Sequence, residues 1–498
     1  MTPASCFSAA VSGARVTRDT APWVKPAWLT VPRRGLLAAA LIAIALPAAP
    51  AAAQTLQESL AQAYVGNPTL KAARAELRTT NEQIPQELAA WRPQVTVTGT
   101  LGKQRIDQEN GSGSAGTTSG FSGDDDPETT TPRSIDLNVT QTLYRGGQTV
   151  AGTRRAEAEV EAQRARLLTT EQDILFRSAT AYMDVWRDQS VLQLNINNEN
   201  VLRRQLEASR DRFEVGEVTR TDVAQSESRL ARAVADRVQA EGDLTESRAI
   251  YQELVGSMPG TLRAPPPVDG LPGAQQEVID AARVANPVVV AAQFSEKAER
   301  NNARAQFGQL LPELALVGTL SRSEESSNND SKTEQGQILA QLTLPIYQQG
   351  FVSSQVREAK QRASQLRLEI DEARRNVEQA SITAWEALQT ARAQTRAFEA
   401  EVRATEIALE GVRQENAVGA RTILDILDAE QEFLDAQVSL VRAQRDDIVA
   451  GYQVLQAMGR MIASFLKLPV KIYDPDVDLN AVRDVWFGFG DIPEGTGE

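Results

Sequence analysis

The chain repeats itself, and this repeat limits the available folds more than any other feature. NPTLKAA, starting at Asn67, returns as NPVVVAA at Asn286, 219 residues later. RPQVTVTGTL, ending at Leu101, returns at the same offset as LPELALVGTL, ending at Leu320. TLYRGG from Thr142 matches PIYQQG from Pro345, and FEVGEVTRTDVAQ from Phe213 matches NAVGARTILDILD from Asn416, both now 203 residues apart. The offset therefore changes once, by 16 residues, between Leu101 and Thr142. Two copies of one supersecondary unit must stack on each other, so the 498 residues read as one repeated architecture rather than as several unrelated domains.

Each copy keeps the same order. A helix opens at Asn-Pro, with Pro68 or Pro287 where a missing N–H does no harm. A strand, a polar loop and a second strand come next. Period-two alternation carries the strand assignments. In SIDLNVTQTLY, Ile135, Leu137, Val139 and Leu143 share a face opposite Asp136, Asn138, Thr140 and Thr142. In GQILAQLTLPIY, Ile338, Ala340, Leu342, Leu344 and Ile346 oppose Gln337, Gln341 and Thr343. Strands are expected near 93–103, 134–144, 312–322 and 336–346, each about ten residues, the length a tilted strand needs to cross a bilayer. Alternation alone fits a half-buried strand in a soluble sheet equally well. The connecting loops, Gln104 to Arg133 and Arg322 to Gln335, are polar, and the first is rich in Gly, Ser and Thr. They suit solvated loops that vary in length without disturbing a barrel.

After the strands each copy continues into a Pro-free helical stretch of roughly 65 residues, a turn, and a return helix of about 30. Such a helix extends roughly 100 Å, some three times the hydrocarbon thickness of a bilayer, and is too polar for lipid. Ala373, Val377, Ala380, Ala384, Ala387 and Ala391 recur at alternating spacings of four and three, a seam of small residues for close helix packing. Aromatics are only 5% of the chain, consistent with long helices joined through small side chains rather than a bulky core.

Composition also excludes chemistry. There is no histidine, which removes Ser-His and Cys-His catalysis and imidazole metal sites. The one cysteine, Cys6, lies in an N-terminal leader. There Arg33 and Arg34 precede GLLAAALIAIALPAAPAAAQ, an apolar run ending in small residues suited to cleavage after Ala53. Its length also fits a membrane anchor, but Pro47 and Pro50 interrupt it. Residues 1–53 are thus expected to be a cleaved signal peptide, leaving a chain more acidic than the −14 of the whole. That balance argues against a nucleic-acid partner. No cofactor is expected.

A membrane sheet must close, because lipid satisfies no open edge. Four strands per chain fall short of the eight of the smallest single-chain barrels, so chains must associate, as two or as three. At this point the residues resemble a known family. The leader, the two Asn-Pro starts, the strand pairs ending in LYRGG and IYQQG, and the motifs RFEVGEVTRTDVAQSES and VGARTILDILDAEQEFLDAQ are similar to the TolC family of outer-membrane export channels, over Thr55 to about Leu468. The resemblance implies a mainly α fold with transmembrane β structure. The unit would be a homotrimer with a 12-stranded outer-membrane β-barrel continued by a 12-helix periplasmic tunnel. Partners would be outer-membrane lipid, a periplasmic adaptor and an inner-membrane transporter, ABC-type or proton-driven. The copies are then expected at 54–270, with its tip at 215–219, and at 271–460, with its tip at 418–422. A C-terminal equatorial segment and acidic tail would occupy 461–498.

Both tips pair a glycine (Gly216, Gly419) with a threonine three residues before an aspartate (Thr219 and Asp222; Thr422 and Asp425). That is helix-stop and capping-box spacing, so capping alone accounts for both aspartates. Asp428 lies one turn beyond Asp425, where the first copy has Gln225. It reads either as a solvated charge or, by the resemblance, with Asp425 as paired carboxylate rings at the periplasmic entrance, favouring cations. The resemblance also implies that Arg421, Thr221 and Asp222 link neighbouring helices and hold the tip closed. Val215, Gly216, Thr219, Val418, Gly419 and Thr422 then form the tip turns and adaptor contacts. Asn416 stands where that family often has tyrosine, which leaves part of the closing network open. Tyr144 and Tyr347 end the second strands as interfacial aromatics or as turn residues, with Gly146, Gly147 and Gly350 easing passage into the helix. Two other functions stay in view. A periplasmic coiled-coil adaptor or surface structural protein would share the helices but not four membrane strands. A carboxylate-only enzyme would need an aromatic-rich cleft that 5% aromatics scarcely provides.

Overall fold

The computed structural model describes residues 54–106, 128–325 and 330–488. The expected leader and the end of the acidic tail lie outside these residues. In the first copy, α1 (Leu56–Gly66) and α2 (Pro68–Asn81) lead through α3 (Gln83–Leu88) and a 3₁₀ turn (Ala89–Trp91) to β1 (Gln94–Leu101). A short β2 (Gln104–Ile106) pairs with β3 (Glu128–Thr130), and β4 (Arg133–Arg145) then enters α4 (Gln148–Glu214) and α5 (Arg220–Val255). The second copy runs α6 (Gln275–Ala285), α7 (Pro287–Gly308), β5 (Glu313–Glu324), β6 (Lys332–Thr343), α8 (Phe351–Ala417) and α9 (Ile423–Ala457), and α10 (Pro475–Arg483) comes last. The two long helices, α4 and α8, have 67 residues each.

The Asn-Pro motif explains how each copy is closed. Asn67 caps α2, its Oδ1 accepting from the N–H groups of Thr69 and Leu70, while Nδ2 donates to the Leu254 carbonyl near the end of α5, at 3.0 Å. Asn286 does the same at α7: Oδ1 accepts from Val288, and Nδ2 donates to Ala457 at the end of α9, again at 3.0 Å. One side chain thus satisfies donors at a helix start and an acceptor at another helix's end, where backbone groups lack partners of their own. The two prolines occupy the first helical position in both copies.

The main core lies where α1 and α2 meet α4 and α5, around Leu60, Leu70, Leu77, Leu175, Tyr182 and Tyr251, and Met461 and Leu468 join it from beyond α9. The tyrosine hydroxyls are not stranded in it. Tyr182 donates toward the carbonyls of Gln54 and Arg263, and burial pushes its phenol up to about 12.

The main sheet has the order β1-β4-β5-β6, antiparallel throughout. Its register places Val95, Val97 and Leu101 on one face with Ile135, Leu137, Val139, Leu316, Leu320, Ile338 and Leu342, because directly opposed residues point the same way. The threonines of β1 and Asp136, Asn138 and Thr140 take the other face. The apolar face stays exposed: Val97 is 67% and Ile338 77% accessible. No helix among the described residues is long and apolar enough to cross a membrane.

Four expectations need correction. Leu143, expected on the apolar face, falls at a register shift between Thr142 and Tyr144, and Tyr144 pairs with Leu314 and takes that face instead; a bulge inserts one residue and flips the side chains after it. β6 stops at Thr343, before Pro345, which has no N–H for the ladder. Leu344, Ile346 and Tyr347 therefore lie beyond the strand. The polar loops are shorter than expected. β2 and β3 pair inside the first, and β5 and β6 continue into the second, where Arg322 meets Glu324 and Glu334. Finally, the buried stripe of α8 is Val377, Ser381, Ala384, Leu388 and Ala391, while Ala380 is exposed and Ala387 half-buried. The spacing still alternates between four and three, but Ser381 and Leu388 replace Ala380 and Ala387, because Ala384, Leu388 and Ala391 pack in one cluster with Ala450 and Val454 of α9.

Candidate functional site: two helical tips

The tips are built alike. α4 ends at Glu214 and the chain turns through Gly216, at φ 81°. α8 ends at Ala417 and turns through Gly419, at φ 79°. Glycine enters this left-handed conformation without steric cost. In both, the amide after the glycine reaches back across the turn: Glu217 N–H to the Arg212 carbonyl at 2.8 Å, and Ala420 N–H to the Glu415 carbonyl at 2.9 Å. Val215 and Val418 stand exposed at the ends, 72% and 81% accessible.

The capping boxes are complete. Asp222 N–H donates to Thr219 Oγ1 at 3.3 Å, and Asp222 Oδ2 accepts from the Thr219 amide at 2.9 Å and hydroxyl at 2.8 Å. Thr422 and Asp425 repeat this at 3.3, 2.8 and 2.8 Å. The backbone N–H and hydroxyl of Thr422, with Arg421 nearby, hold the Asp425 carboxyl below the usual carboxylate range. A buttress also repeats. Arg210 of α4 pairs with Glu227 of α5 at 2.7 Å, and Arg413 of α8 pairs with Glu430 of α9.

The differences are local. Asn416 Nδ2 donates to the Arg421 carbonyl at 2.8 Å, so this residue braces its own turn. Arg421 Nε contacts Glu415 Oε2 at 2.8 Å, and this partner stabilises its charge. The structure thus pairs Arg421 and Asp222 each with its own tip rather than with one another. Thr221 is exposed on the first turn of α5. Asp428 is not a free surface charge: it forms an ion pair with Arg229 of α5, 199 residues away. Beside that pair, Ile423 and Leu427 of α9 pack with Leu202, Leu230, Ala233 and Val218 of the first hairpin. The second tip is therefore seated on the first by one apolar cluster and one ion pair.

Arg229 is the residue that sequence reasoning missed. Its signal lay in the repeat: at the offset of 203, Gln225 aligns with Asp428 and Arg229 with Glu432. The copies thus differ in charge at two positions one helical turn apart.

A duplicated strand-and-helix chain with an exposed apolar sheet and two helical hairpins defines the class of outer-membrane channel proteins with a periplasmic helical tunnel. The chain belongs to the outer membrane efflux protein family, whose model matches residues 59–257 and 278–460, one segment for each copy. It is 34% identical to the outer membrane efflux protein BepC of Brucella suis over 439 residues, 88% of this chain and 92% of that one. It is 26% identical to the outer membrane protein TolC of Vibrio cholerae, covering 82% and 91% of the two chains. Its fold matches the MtrE outer membrane channel of Neisseria gonorrhoeae, with a TM-score of 0.68 at 20% identity over 82% of this chain and 89% of that one.

Proposed function

We propose that three copies of this chain form an outer-membrane exit duct for a pump or secretion system that spans both membranes. The observation that carries this reading is the four-stranded sheet: among the described residues, its apolar face is exposed and its edges β1 and β6 are unpaired. Three copies give twelve strands and a closed wall, as lipid demands. The helices continue that wall into the periplasm as a passive conduit, with no catalytic step. Residues 1–53 serve as the export signal.

At the far end, Asp425 and Asp428 contribute carboxylates around the pore entrance and favour cations. Arg229 holds Asp428, and Arg421, Thr221 and Asp222 link tips between subunits. Val215 and Val418, with the turn residues Gly216, Thr219, Gly419 and Thr422, present a matched apolar contact to a periplasmic adaptor, which couples the duct to an inner-membrane transporter. Tyr144 and Tyr347 sit at the periplasmic edge of the barrel. Outer-membrane fractionation with gel analysis tests the assembly. A heat-sensitive trimer in the outer-membrane fraction is expected; a water-soluble elongated monomer would contradict it.

A further inference from the structure

The chain beyond α9 does not end in the core. Past the buried Met461 and Leu468, the Tyr473 amide donates to the Tyr64 hydroxyl at 3.1 Å, and Arg74 lies over both tyrosine rings. Asp476 then meets Arg164 of α4 at 2.6 Å, and Arg483 meets Glu157, seven residues closer to the start of α4, at 3.4 Å. Seven residues are about 10 Å of helix, so the segment climbs α4 toward the strands. It arrives at β1: Arg92, two residues before that strand, donates to the Val485 carbonyl at 2.7 Å and stacks over Trp486 at 4.8 Å.

At this level the segment presents Val485, Trp486 and Phe487, the last 89% exposed, with the two rings edge to face at 6.5 Å. Trp91 is exposed next to Arg92, and its carbonyl accepts from Gln141 of β4 at 2.9 Å, fixing the turn to the base of the sheet. Tyr144 stands one residue before the end of β4, at the same edge of the sheet. In a chain with so few aromatics, their gathering at one height demands an occupant. Tryptophan, with an apolar ring and a polar N–H, partitions to the headgroup level of a bilayer. The Arg92 guanidinium over Trp486 adds a cation that suits lipid phosphate.

We propose that Val485–Phe487, with Trp91 and Arg92, forms a second membrane attachment: a C-terminal aromatic anchor seated in the periplasmic leaflet of the outer membrane. The occupant is lipid, because the patch continues the level of the apolar strand face. The inference rests on reading the sheet as a membrane wall, which conductance of the same vesicles tests separately.

The test reconstitutes the full chain into phosphatidylcholine vesicles whose acyl chains carry bromine near the headgroup, and compares wild type with Trp486→Phe. The expected result is a loss, in the variant, of a lipid-quenched component of tryptophan fluorescence, with channel activity unchanged. Phe487→Glu should weaken retention in lipid during carbonate or mild-detergent extraction. If Trp486 emission is quenched by aqueous acrylamide and not by bromolipid, the segment faces water and the proposal falls. If neither reagent quenches it, a second copy of the chain covers it, and the proposal falls equally.

Discussion

The two tips share a backbone and differ in what their side chains hold. Each has a left-handed glycine, a Thr-x-x-Asp capping box and an Arg-Glu buttress between its helices. The first tip keeps a buried Ser209–Ser226 hydroxyl contact at 3.2 Å, where the second has Val412 and Ala429. The second adds Arg421, Asn416 and Asp428, and sends Asp428 across to Arg229. Duplication preserved the residues that turning a helix requires. Of the residues that diverged, Asn416 and Arg421 brace their own turn, and Asp428 alone carries charge to the neighbouring tip.

Removing the carboxylates of the two tips separately should affect them unequally. Asp425→Ala with Asp428→Ala should lower the potassium-to-chloride permeability ratio by about tenfold, as removal of a focused ring charge requires, and relieve block by multivalent cations. Asp222→Ala with Gln225→Ala should leave the ratio nearly unchanged. Equal effects from both pairs in planar bilayers would abolish the distinction between the tips.

Removing the two caps separately should affect the tips alike. Thr219→Ala and Thr422→Ala should each cost about 1 kcal/mol of local helix stability, the usual worth of an N-cap. Amide exchange in the first turns of α5 and α9 should rise by similar factors. A much larger rise at one tip would show that its threonine does more than cap.

Smaller effects attend the links. Arg421→Ala with Asp222→Ala should raise resting conductance, up to roughly fivefold, since an exposed ion pair is worth about 0–1 kcal/mol. Arg229→Ala should act in the same direction, and reversing the pair (Arg229→Asp with Asp428→Arg) should restore part of the wild-type conductance. Failure of the reversal would mean that Ile423 and Leu427 alone seat the second tip.

The smallest effect is in pH. The carboxyl of Asp425 is held low by Thr422, so its cap is fully present above the unfolded aspartate value of about 3.9 and is lost as pH falls through the lower folded value. Helix α9 should keep its protected first turn as pH drops from 5 to about 4. Exchange that accelerates within that window would contradict the assigned contacts.

Much of this was legible in the residues because it is local. Asn-Pro starts, Thr-x-x-Asp caps, glycine stops and period-two strands depend on neighbours within a few positions, and the repeat displayed each of them twice. The bulge at Thr142–Tyr144 was not legible, since register is fixed by the partner strand β5 and not by β4 itself. The end of β6 was legible at Pro345, yet apolar alternation across the proline hid it. Arg229 and Trp486 were missed for a common reason: Asp428 and Arg92, which they meet, lie 199 and 394 residues away in sequence. Closing the second seam required knowing which face of α8 meets α7 and α9, which alternating alanines leave undecided.

In the proposed duct the second tip, and not the first, carries the charge that selects ions. Reversal potential in a potassium chloride gradient tests it most directly, on single channels of wild type, Gln225→Ala and Asp428→Ala. Cation-selective channels are expected in all three, with the potential of Gln225→Ala matching wild type and that of Asp428→Ala shifted toward zero. A shift in Gln225→Ala equal to that in Asp428→Ala, or no shift in either, would contradict it.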